Sequence, residues 1–511
     1  MSEAGSVPAD KSTLSEARLR LLNKYRRGEF SKTVGQTLQI TRRPADKPAP
    51  LSPAQEQVWR RAQVTGDRPP FYNESIAILR QGPLDAAILE RSLTEIIRRH
   101  EVWRTTYDVV EGQPAQIIHP APDTFPVSVV NLQSLPMNER AAAALQLATA
   151  EARQPFDLSA GPLIRATLAT LAEDEHRLFL TMHQSVTDGI SVNILIPSEL
   201  TALYEAFVNG RSSPLPELPI QYADYAHWQH QWMKGEGLAA QLAYWRERLA
   251  DLPPVPDWPG EHARPAALTY RGAIEPFTIP RHVAQGLKEL SRQEGVTLFM
   301  TLLVGFSALL WSDVGQEHLI VGTLSPVGRK RSEVQSLIGY FLNPVALRMN
   351  LAGNPSVREL LHRSQEVVSG AMANDDVPLE YLVKELGIES DAERLPLFPW
   401  IISLAPRIAD LAPGWNQSFM DAESGGSRWE LYLELREGQD SLLGRAQYNP
   451  DVFEPATLTR ILGDWDRLLE AMVVNPDLRL SELPSAISAG NGANLQRTVA
   501  ANETEPDPAV R

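Results

Sequence analysis

The chain has 511 residues, of which 43% are hydrophobic, a size and composition typical of a globular protein with more than one core. It contains no cysteine, which excludes disulfides, thiolate nucleophiles and Cys-ligated zinc or iron–sulfur centres. A net charge of −15 disfavours nucleic-acid binding, because such proteins need a cationic face. No apolar run is long enough to cross a bilayer, and Met1–Ser6 does not resemble a signal peptide. We therefore expect a cytoplasmic protein with neither a membrane nor a nucleic-acid partner.

The N-terminal 48 residues differ from the rest in charge. Residues 1–50 contain ten Lys or Arg and five Asp or Glu, a net charge of +5, which leaves −20 for the remainder. A capped helix ending at Gly28 and a strand or small hairpin over 33–40 are predicted, followed by a proline-rich linker. The pattern predicts a basic module, residues 1–48, that binds an acidic partner. A solvated basic tail is the alternative.

Helices and strands alternate through the first half of the main body. The predicted helices run from Pro53 through Trp59, Pro83–His100, Ala141–Gln154 and Ile190–Leu203. The predicted strands are 102–110, 115–118, 163–171 and 178–181. Several strand pairs are joined like hairpins, which favours an α+β fold with a mixed sheet over a doubly wound parallel one.

The second half repeats this rhythm. A helical tract, Tyr222–Leu249, precedes a proline-rich irregular stretch, 251–265. Further elements are then predicted at 273–279 (strand), 281–293 (helix), 297–311 (helix) and 319–323 (strand). Two similar lobes are the expectation, with boundaries at 49–225 and 226–485, before a disordered tail at 486–511.

The stretch His183–Gly189 (His-Gln-Ser-Val-Thr-Asp-Gly) lies between a predicted buried strand and a predicted helix. A histidine at such a turn is well placed for proton transfer, and the glycine allows a close backbone approach. On its own this is a weak signal, because a lone His beside an Asp is more often structural.

Seven stretches occur in the order found in the condensation domains of nonribosomal peptide synthetases, and residues 50–485 resemble that family. The stretches are Leu51–Trp59, Arg99–Tyr107, His183–Gly189, Tyr222–Trp228, Ile338–Arg348, Asp375–Glu380 and Arg394–Phe398. The resemblance implies two lobes similar to chloramphenicol acetyltransferase, arranged in a V with a tunnel between them.

The resemblance also implies an acyltransferase. A carrier protein would present an acyl, peptidyl or polyketide chain as a thioester on its phosphopantetheine arm. The acceptor would be a small molecule or a second carrier protein bearing an amine or alcohol, and the product an amide or ester. The protein would need no cofactor of its own, since the phosphopantetheine arrives on the substrate.

The central motif departs from the family pattern. The second histidine, to which the family's catalysis is usually assigned, is Gln184 here, and only His183 remains. A carboxamide is not basic near pH 7, although it can orient a nucleophile or hold an oxyanion. Three interpretations stay open: an active acyltransferase that works by positioning, a binding module that has lost its chemistry, and an engineered substitution in an ordinary enzyme.

Other motif residues have roles implied by the resemblance. Asp188 is expected to hold the loop through an ion pair with either Arg104 or Arg329, and Gly189 to clear space for the thioester arm and line an oxyanion site. His183 is expected to be a buried hydrogen-bonding residue. Motif residues with expected packing roles are Arg99, His100, Tyr225, Trp228 and Asn343. No histidine spacing predicts a metal site; the pair His227 and His230 is expected at the surface.

The N-terminal module resembles the small β-hairpin docking domains that precede some condensation domains. Those bind an acidic segment of an upstream acyl or peptidyl carrier protein. The basic residues expected to dock are Lys24, Arg26, Arg27, Lys32, Arg42 and Arg43. The stretch Leu495–Pro508 faintly resembles a linker to an adenylation domain, so the chain is expected to be an excised piece or a stand-alone enzyme that releases a finished chain in trans.

Overall fold

The computed structural model describes residues 39–44, 48–65, 68–253, 255–256, 258, 265, 269–388, 397–418 and 422–484. The predicted N-terminal helix, most of the predicted hairpin and the tail at 486–511 lie outside these residues.

The strands form two large mixed sheets and one small sheet. In chain order they are β1 (Ala49–Pro50), β2 (Asn73–Gln81), β3 (Thr105–Val110), β4 (Gln113–Ile118), β5 (Ser128–Asn131), β6 (Ile164–Ala172), β7 (Glu175–His183), β8 (Ala273–Ile279), β9 (His318–Ser325), β10 (Asn343–Asn350), β11 (Trp400–Leu404), β12 (Trp415–Ser418), β13 (Leu431–Glu437) and β14 (Leu442–Tyr448). The sheet orders are β12-β2-β7-β6-β5, β10-β9-β11-β13-β14-β8 and β1-β4-β3. Each large sheet combines parallel and antiparallel pairs, which confirms the expected mixed α+β architecture.

The helices pack against these sheets. In chain order they are α1 (Pro53–Thr65), α2 (Ala86–Arg99), α3 (Met137–Ala152), α4 (Ile196–Val208), α5 (Tyr222–Trp232), α6 (Glu236–Arg248), α7 (Arg281–Gln293), α8 (Leu298–Val314), α9 (Val357–Ala373), α10 (Leu379–Glu385) and α11 (Pro455–Val474). No single described helix is both long and apolar enough to span a membrane; only α7 and α8 together, bent by 110°, pass that test of length and composition.

The first lobe forms because α2 and α4 each carry an apolar stripe at helical spacing. On α2 this stripe includes Leu89, Leu93 and Ile96, which are buried in the same core as Ile76 and Ile78 of β2. The Asp85 side chain caps α2 by accepting hydrogen bonds from the backbone N–H groups of its first turn. The helix therefore begins three residues later than the predicted start at Pro83.

The second lobe surrounds α8, which is apolar over nearly its whole circumference and therefore buried between a sheet and other helices. The Thr297 hydroxyl caps its N-terminus by accepting from the backbone N–H of Met300 at 3.2 Å. Its C-terminus is closed by Gly315 in the left-handed conformation, with φ of 73°.

The two lobes share strands and core residues. β12, from the second half of the chain, extends the first lobe's sheet by pairing antiparallel with β2, so that Trp415 lies opposite Arg80. Val334, Leu337 and Ile338 also pack in the core of the first lobe. The first lobe is therefore incomplete without residues that follow it by more than a hundred positions.

Three predicted elements differ from the structure. The tract Tyr222–Leu249 is two helices: α5 ends at Trp232, and α6 begins at Glu236 after the extended cap residue Gly235. The expected lobe boundary after residue 225 falls inside α5, whose residues Tyr225 and Trp228 belong to the first core. The predicted strand over 102–110 begins only at Thr105, after a single 3₁₀ turn.

Candidate active site

The loop His183–Gly189 leaves the carboxyl end of β7 and is fixed to its neighbours through the backbone. The N–H of His183 donates to the carbonyl of Leu163 at 3.0 Å, and the N–H of Gln184 donates to the carbonyl of Tyr72 at 2.8 Å. A 3₁₀ turn covers 184–186, and a π-helical turn at 191–195 leads into α4. The sequence predicted this strand-to-helix loop, but not the π turn.

His183 is a structural residue in this geometry. Its ring is buried between the rings of Tyr72 and Phe156, with centroid separations of 5.9 and 6.2 Å. Its Nδ1 lies 2.8 Å from the hydroxyl oxygen of Ser185. Burial lowers the pKa of His183 to about 3, so the imidazole is neutral at physiological pH. This agrees with the expected hydrogen-bonding role.

Asp188 and Arg329 form a buried, two-pronged ion pair. The Nη2 and Nε atoms of Arg329 donate to the two carboxylate oxygens of Asp188 at 2.9 and 3.1 Å. Ser191 completes the site, since its N–H donates to Asp188 at 2.7 Å and its hydroxyl accepts from Arg329 at 2.8 Å. Of the two candidate arginines the structure selects Arg329, because Arg104 instead lies 3.8 Å from Glu101.

Arg329 ties the loop to the chain segment that links the lobes. Its Nη1 donates to the carbonyl of Val334 at 3.0 Å, and its guanidinium lies 4.3 Å from the ring centre of Phe341. Because its charge is balanced and its donors are satisfied, the pair offsets the large desolvation cost of burying two ions. Asp188 therefore has no carboxylate edge to offer a substrate.

Gln184 and Gly189 are the two members of the His183–Gly189 loop that remain partly exposed. Within the described part of the chain, no hydrogen bond engages the Gln184 carboxamide. A methyl group added at Gly189 would meet no atom within 4 Å. Both residues therefore border open space, as the resemblance implies for groups that meet a substrate.

A group of polar residues, Tyr72, Glu74, Tyr340 and Arg428, lies beside this loop where the lobes face each other; we call it the inter-lobe wall. The Arg428 guanidinium lies 5.7 Å from the ring centre of Tyr72, and its Nη1 donates to the Tyr340 hydroxyl at 3.4 Å. Its Nε and Nη2 have no hydrogen-bond partner among the described residues. Burial raises the pKa of the Glu74 carboxyl to about 7.

The inter-lobe wall was not predicted from the sequence. The sequence did contain one indication that Glu74 is unusual. On β2 it lies on the same face as the buried residues Ile76 and Ile78. A carboxylate in an apolar phase of a strand is either paired or functional. The sequence around Arg428 contained no such indication, because the position of its side chain depends on contacts with the other lobe.

Asn343 has the structural role expected of it. Its Nδ2 donates to the carbonyls of Asp375 and Val377 at 2.8 and 2.7 Å, and its Oδ1 accepts from the N–H of Leu379 at 3.1 Å. The asparagine thus holds the motif segment that begins α10. Nearby, burial raises the pKa of Asp375 to about 6 although Lys330 lies against it.

Arg42 and Arg43 are the two predicted docking residues that lie within the described chain. The Nη1 of Arg43 contacts the carboxylates of Asp224 at 3.1 Å and Glu101 at 3.5 Å, and the Nε of Arg42 donates to the carbonyl of Pro219. Arg43 is therefore engaged within the main body, and a docking role for Arg42 and Arg43 stays a prediction. The remaining predicted docking residues, outside the described residues, are Lys24, Arg26, Arg27 and Lys32.

No cluster of three or more His, Cys, Asp or Glu side chains with metal-binding geometry occurs among the described residues. His227 bonds to Gln231 at 2.9 Å, and His230 bonds to the carbonyl of Leu51 at 2.7 Å. The latter contact corrects the expected surface position of His230, which instead ties α5 to the start of the main body.

Comparison with known families agrees with this architecture. The family description that matches residues 45–491 is that of the condensation domain. The chain belongs to the condensation-domain family. One of the linear gramicidin synthase proteins of Brevibacillus parabrevis is 40% identical over 466 residues, or 89% of this chain but only 9% of that synthase protein. Phosphinothricin tripeptide synthetase PhsC of Streptomyces viridochromogenes is 37% identical over 87% of this chain and 41% of its own length.

Solved structures resemble this one over most of its length. The X-domain from teicoplanin biosynthesis is 25% identical, with a TM-score of 0.76, covering 87% of this chain and 99% of the X-domain. The first condensation domain of the calcium-dependent antibiotic synthetase has a TM-score of 0.74 and is 21% identical. The match covers 86% of this chain and all of that domain, and at this identity it shows the fold alone. The predicted family and fold class are confirmed. Condensation domains are amide-forming acyltransferases that work on carrier-bound substrates.

We predict that the Asp188–Arg329 pair is a main determinant of loop stability. Either Asp188→Asn or Arg329→Met leaves one buried polar group without its partner, and each should lower the free energy of unfolding by about 3–5 kcal/mol. The double variant should lose less than the sum of the two single losses. Denaturant titration at constant m-value measures all three.

Arg104→Met is the matched control. Arg104 is partly exposed, lies 3.8 Å from Glu101 and donates one hydrogen bond to the carbonyl of His119, so we expect a smaller loss of about 1–2 kcal/mol. Equal losses for the Arg104 and Arg329 variants would contradict the assignment of Arg329 as the partner of Asp188.

Proposed function

We propose that this condensation domain transfers an acyl, peptidyl or polyketide chain from a carrier-protein thioester to an amine or alcohol acceptor. The observation that carries the proposal is the exposure pattern of the loop, in which only Gln184 and Gly189 border open space. The rest of the loop is held in place by the pair between Asp188 and Arg329. Such rigidity favours positioning a substrate.

In the proposed reaction, the acceptor nitrogen or oxygen attacks the thioester carbonyl. A C–N or C–O bond forms, the C–S bond breaks, and the acceptor's proton ends on the thiol of the phosphopantetheine arm. The carbonyl oxygen carries negative charge in the tetrahedral intermediate. The Gln184 carboxamide and the Gly189 N–H are the nearest loop groups that can donate to it, and such donors stabilise the developing charge.

Gly189 gives the thioester arm its approach in this proposal. The arm is narrow, and the open space at the Gly189 Cβ position would let it reach the loop backbone. A methyl group there would meet no atom within 4 Å, and a larger side chain would extend into the same space. The phosphopantetheine arrives with the carrier protein, so the domain itself supplies only the surface along which the arm lies.

A second candidate function is recruitment of a partner protein without chemistry. It is favoured by the structural likeness, at 26% identity, to an X-domain from teicoplanin biosynthesis that was solved in complex with OxyB. The replacement of the usual second histidine by Gln184 is compatible with it. The two candidates differ in whether product forms from a loaded carrier protein.

We predict that the protein converts an acyl-loaded cognate carrier to free carrier in the presence of an acceptor. A panel of carrier-bound amino acids, soluble amines and soluble alcohols, analysed by intact mass, identifies the acceptor and separates amide from ester products. Product with a soluble acceptor would indicate chain release in trans. No product from any acceptor, with wild-type protein or with Gln184→His, would favour the recruitment function.

Gly189→Leu tests the proposed path of the arm. It should reduce product formation by at least about tenfold by occupying the open space, while Gly189→Ala should leave the free energy of unfolding within about 0.5 kcal/mol of wild type. Unchanged transfer by the leucine variant would place the arm elsewhere.

We also propose that the basic N-terminal segment docks the upstream carrier protein, as its surplus of positive charge supports. Deletion of residues 1–38 should reduce transfer at low carrier concentration by about tenfold or more and spare the fold. The deletion must stop before Ile40, which is buried in the first core. Reversing Lys24, Arg26 and Arg27 to Glu provides a charge test. Unchanged kinetics at low carrier concentration would contradict docking.

A further inference from the structure

The structure raises the question of which group takes the acceptor's proton. Gln184 cannot, because a carboxamide is not basic near pH 7. His183 is buried, with its Nδ1 bonded to Ser185, and both carboxylate oxygens of Asp188 accept from Arg329. None of the polar side chains of the loop itself is therefore a suitable base.

We propose that Glu74 is the catalytic base of this domain and accepts the proton from the acceptor nucleophile, the task for which Gln184 is unsuited. The inference rests on the acyl-transfer function proposed above. It assigns to Glu74 a proton-transfer role beside the reacting atoms, while Gln184 orients the acceptor or the carbonyl oxygen.

Strand register places Glu74 on the same face as Gln184. Asn73 lies opposite His183 and Glu74 opposite Met182 in the antiparallel pair of β2 and β7. The next pair outwards is Tyr72 and Gln184, joined by the 2.8 Å bond from the Gln184 N–H. Opposite residues and alternate residues share a face. Gln184 is the first residue past the end of β7, where a 3₁₀ turn begins. Continuing the strand pairing by this one residue makes Glu74 a diagonal neighbour of Gln184, at a residue spacing of about 7–8 Å.

That spacing suits a shared substrate. Two side chains on residues spaced about 7–8 Å apart leave room for one nucleophile or one water between their polar ends. Glu74 is partly exposed as a residue, at the edge of the open space, while its carboxyl group lies in a largely desolvated position. No hydrogen bond or ion pair engages that carboxylate within the described chain.

The groups facing Glu74 come from the second lobe. Arg445 of β14 favours the charged carboxylate, whereas Glu434 of β13 disfavours it. These two residues are themselves joined by an ion pair of 2.8 Å, so the positive charge that Glu74 experiences is largely balanced. Burial, with a smaller contribution from the Glu74 carboxylate, raises the pKa of the nearby hydroxyls of Tyr340 and Tyr432.

This environment suits a base. An ordinary glutamate is too weak a base near neutral pH, but burial raises the pKa of Glu74 to about 7, where general bases work best. As the C–N or C–O bond forms, the Glu74 carboxylate takes the acceptor's N–H or O–H proton. As the C–S bond breaks, the carboxyl returns that proton to the leaving thiolate, which restores the starting state.

The decisive variant is Glu74→Gln, measured with a loaded carrier and the acceptor that the panel identifies. It should lower kcat by about 10²–10⁴-fold, the range typical of a lost general base, without loss of thermal stability. Adding Gln184→His to this variant supplies an imidazole on the same face. The double variant should have a kcat at least about tenfold higher than that of Glu74→Gln alone. Glu175→Gln, at the far end of the same strand pair, is the matched control and should keep wild-type kcat.

The pH profile tests the role independently of folding. Wild-type kcat should rise with pH through about 7, because the base acts when deprotonated. In Glu434→Gln, loss of the like charge should move this rise to lower pH, and in Glu74→Gln it should disappear. The same acceptor is used with every variant. Titration of the acceptor's own nucleophilic group therefore contributes equally to all the pH profiles.

The outcomes separate this inference from the proposed function. A wild-type protein that forms product, combined with an unchanged rate and pH profile for Glu74→Gln, overturns the role of Glu74 and leaves acyl transfer standing. A profile unmoved by Glu434→Gln also overturns it. Absence of product from wild-type protein with every acceptor overturns both.

Discussion

The structure depends on one buried ion pair, between Asp188 in the first lobe and Arg329 in the segment that returns from the second. The charges could not be buried singly, since an unpaired ion in the interior costs several kcal/mol. Each side chain therefore fixes the position of the other. The segment after Arg329 continues into the first core through Val334 and Leu337. The loop geometry and the arrangement of the lobes are consequently set by the same contact.

This arrangement divides the motif residues into two groups. The first group forms hydrogen bonds within the protein and holds the backbone in place; it consists of His183, Asp188 and Asn343. Gln184 and Gly189 face open space. The remaining histidine is held by its own contacts, so the side chains beside the loop matter for the chemistry of the site. The inter-lobe wall contributes the buried guanidinium of Arg428 and the carboxyl of Glu74, whose pKa burial raises to about 7.

Local patterns were sufficient for much of the fold. The helix predicted at 281–293 has the observed bounds of α7, because a strong amphipathic stripe needs no distant information. The order of seven weak motifs located the loop and the family. The choice of Arg329 over Arg104 could not be made, since ion pairing across lobes depends on tertiary packing. β12 was missed because four residues at a sheet edge carry too little alternation to predict a strand.

The crossing of β12 into the first sheet has a consequence for recombining condensation domains. A chimaera joined near residue 225 would keep β2 from one parent and receive its edge partner, Trp415–Ser418, from the other. The register of that pairing, Trp415 opposite Arg80, would then have to be recreated between sequences that never evolved together. The smallest exchangeable unit is therefore discontinuous in sequence and includes this short strand.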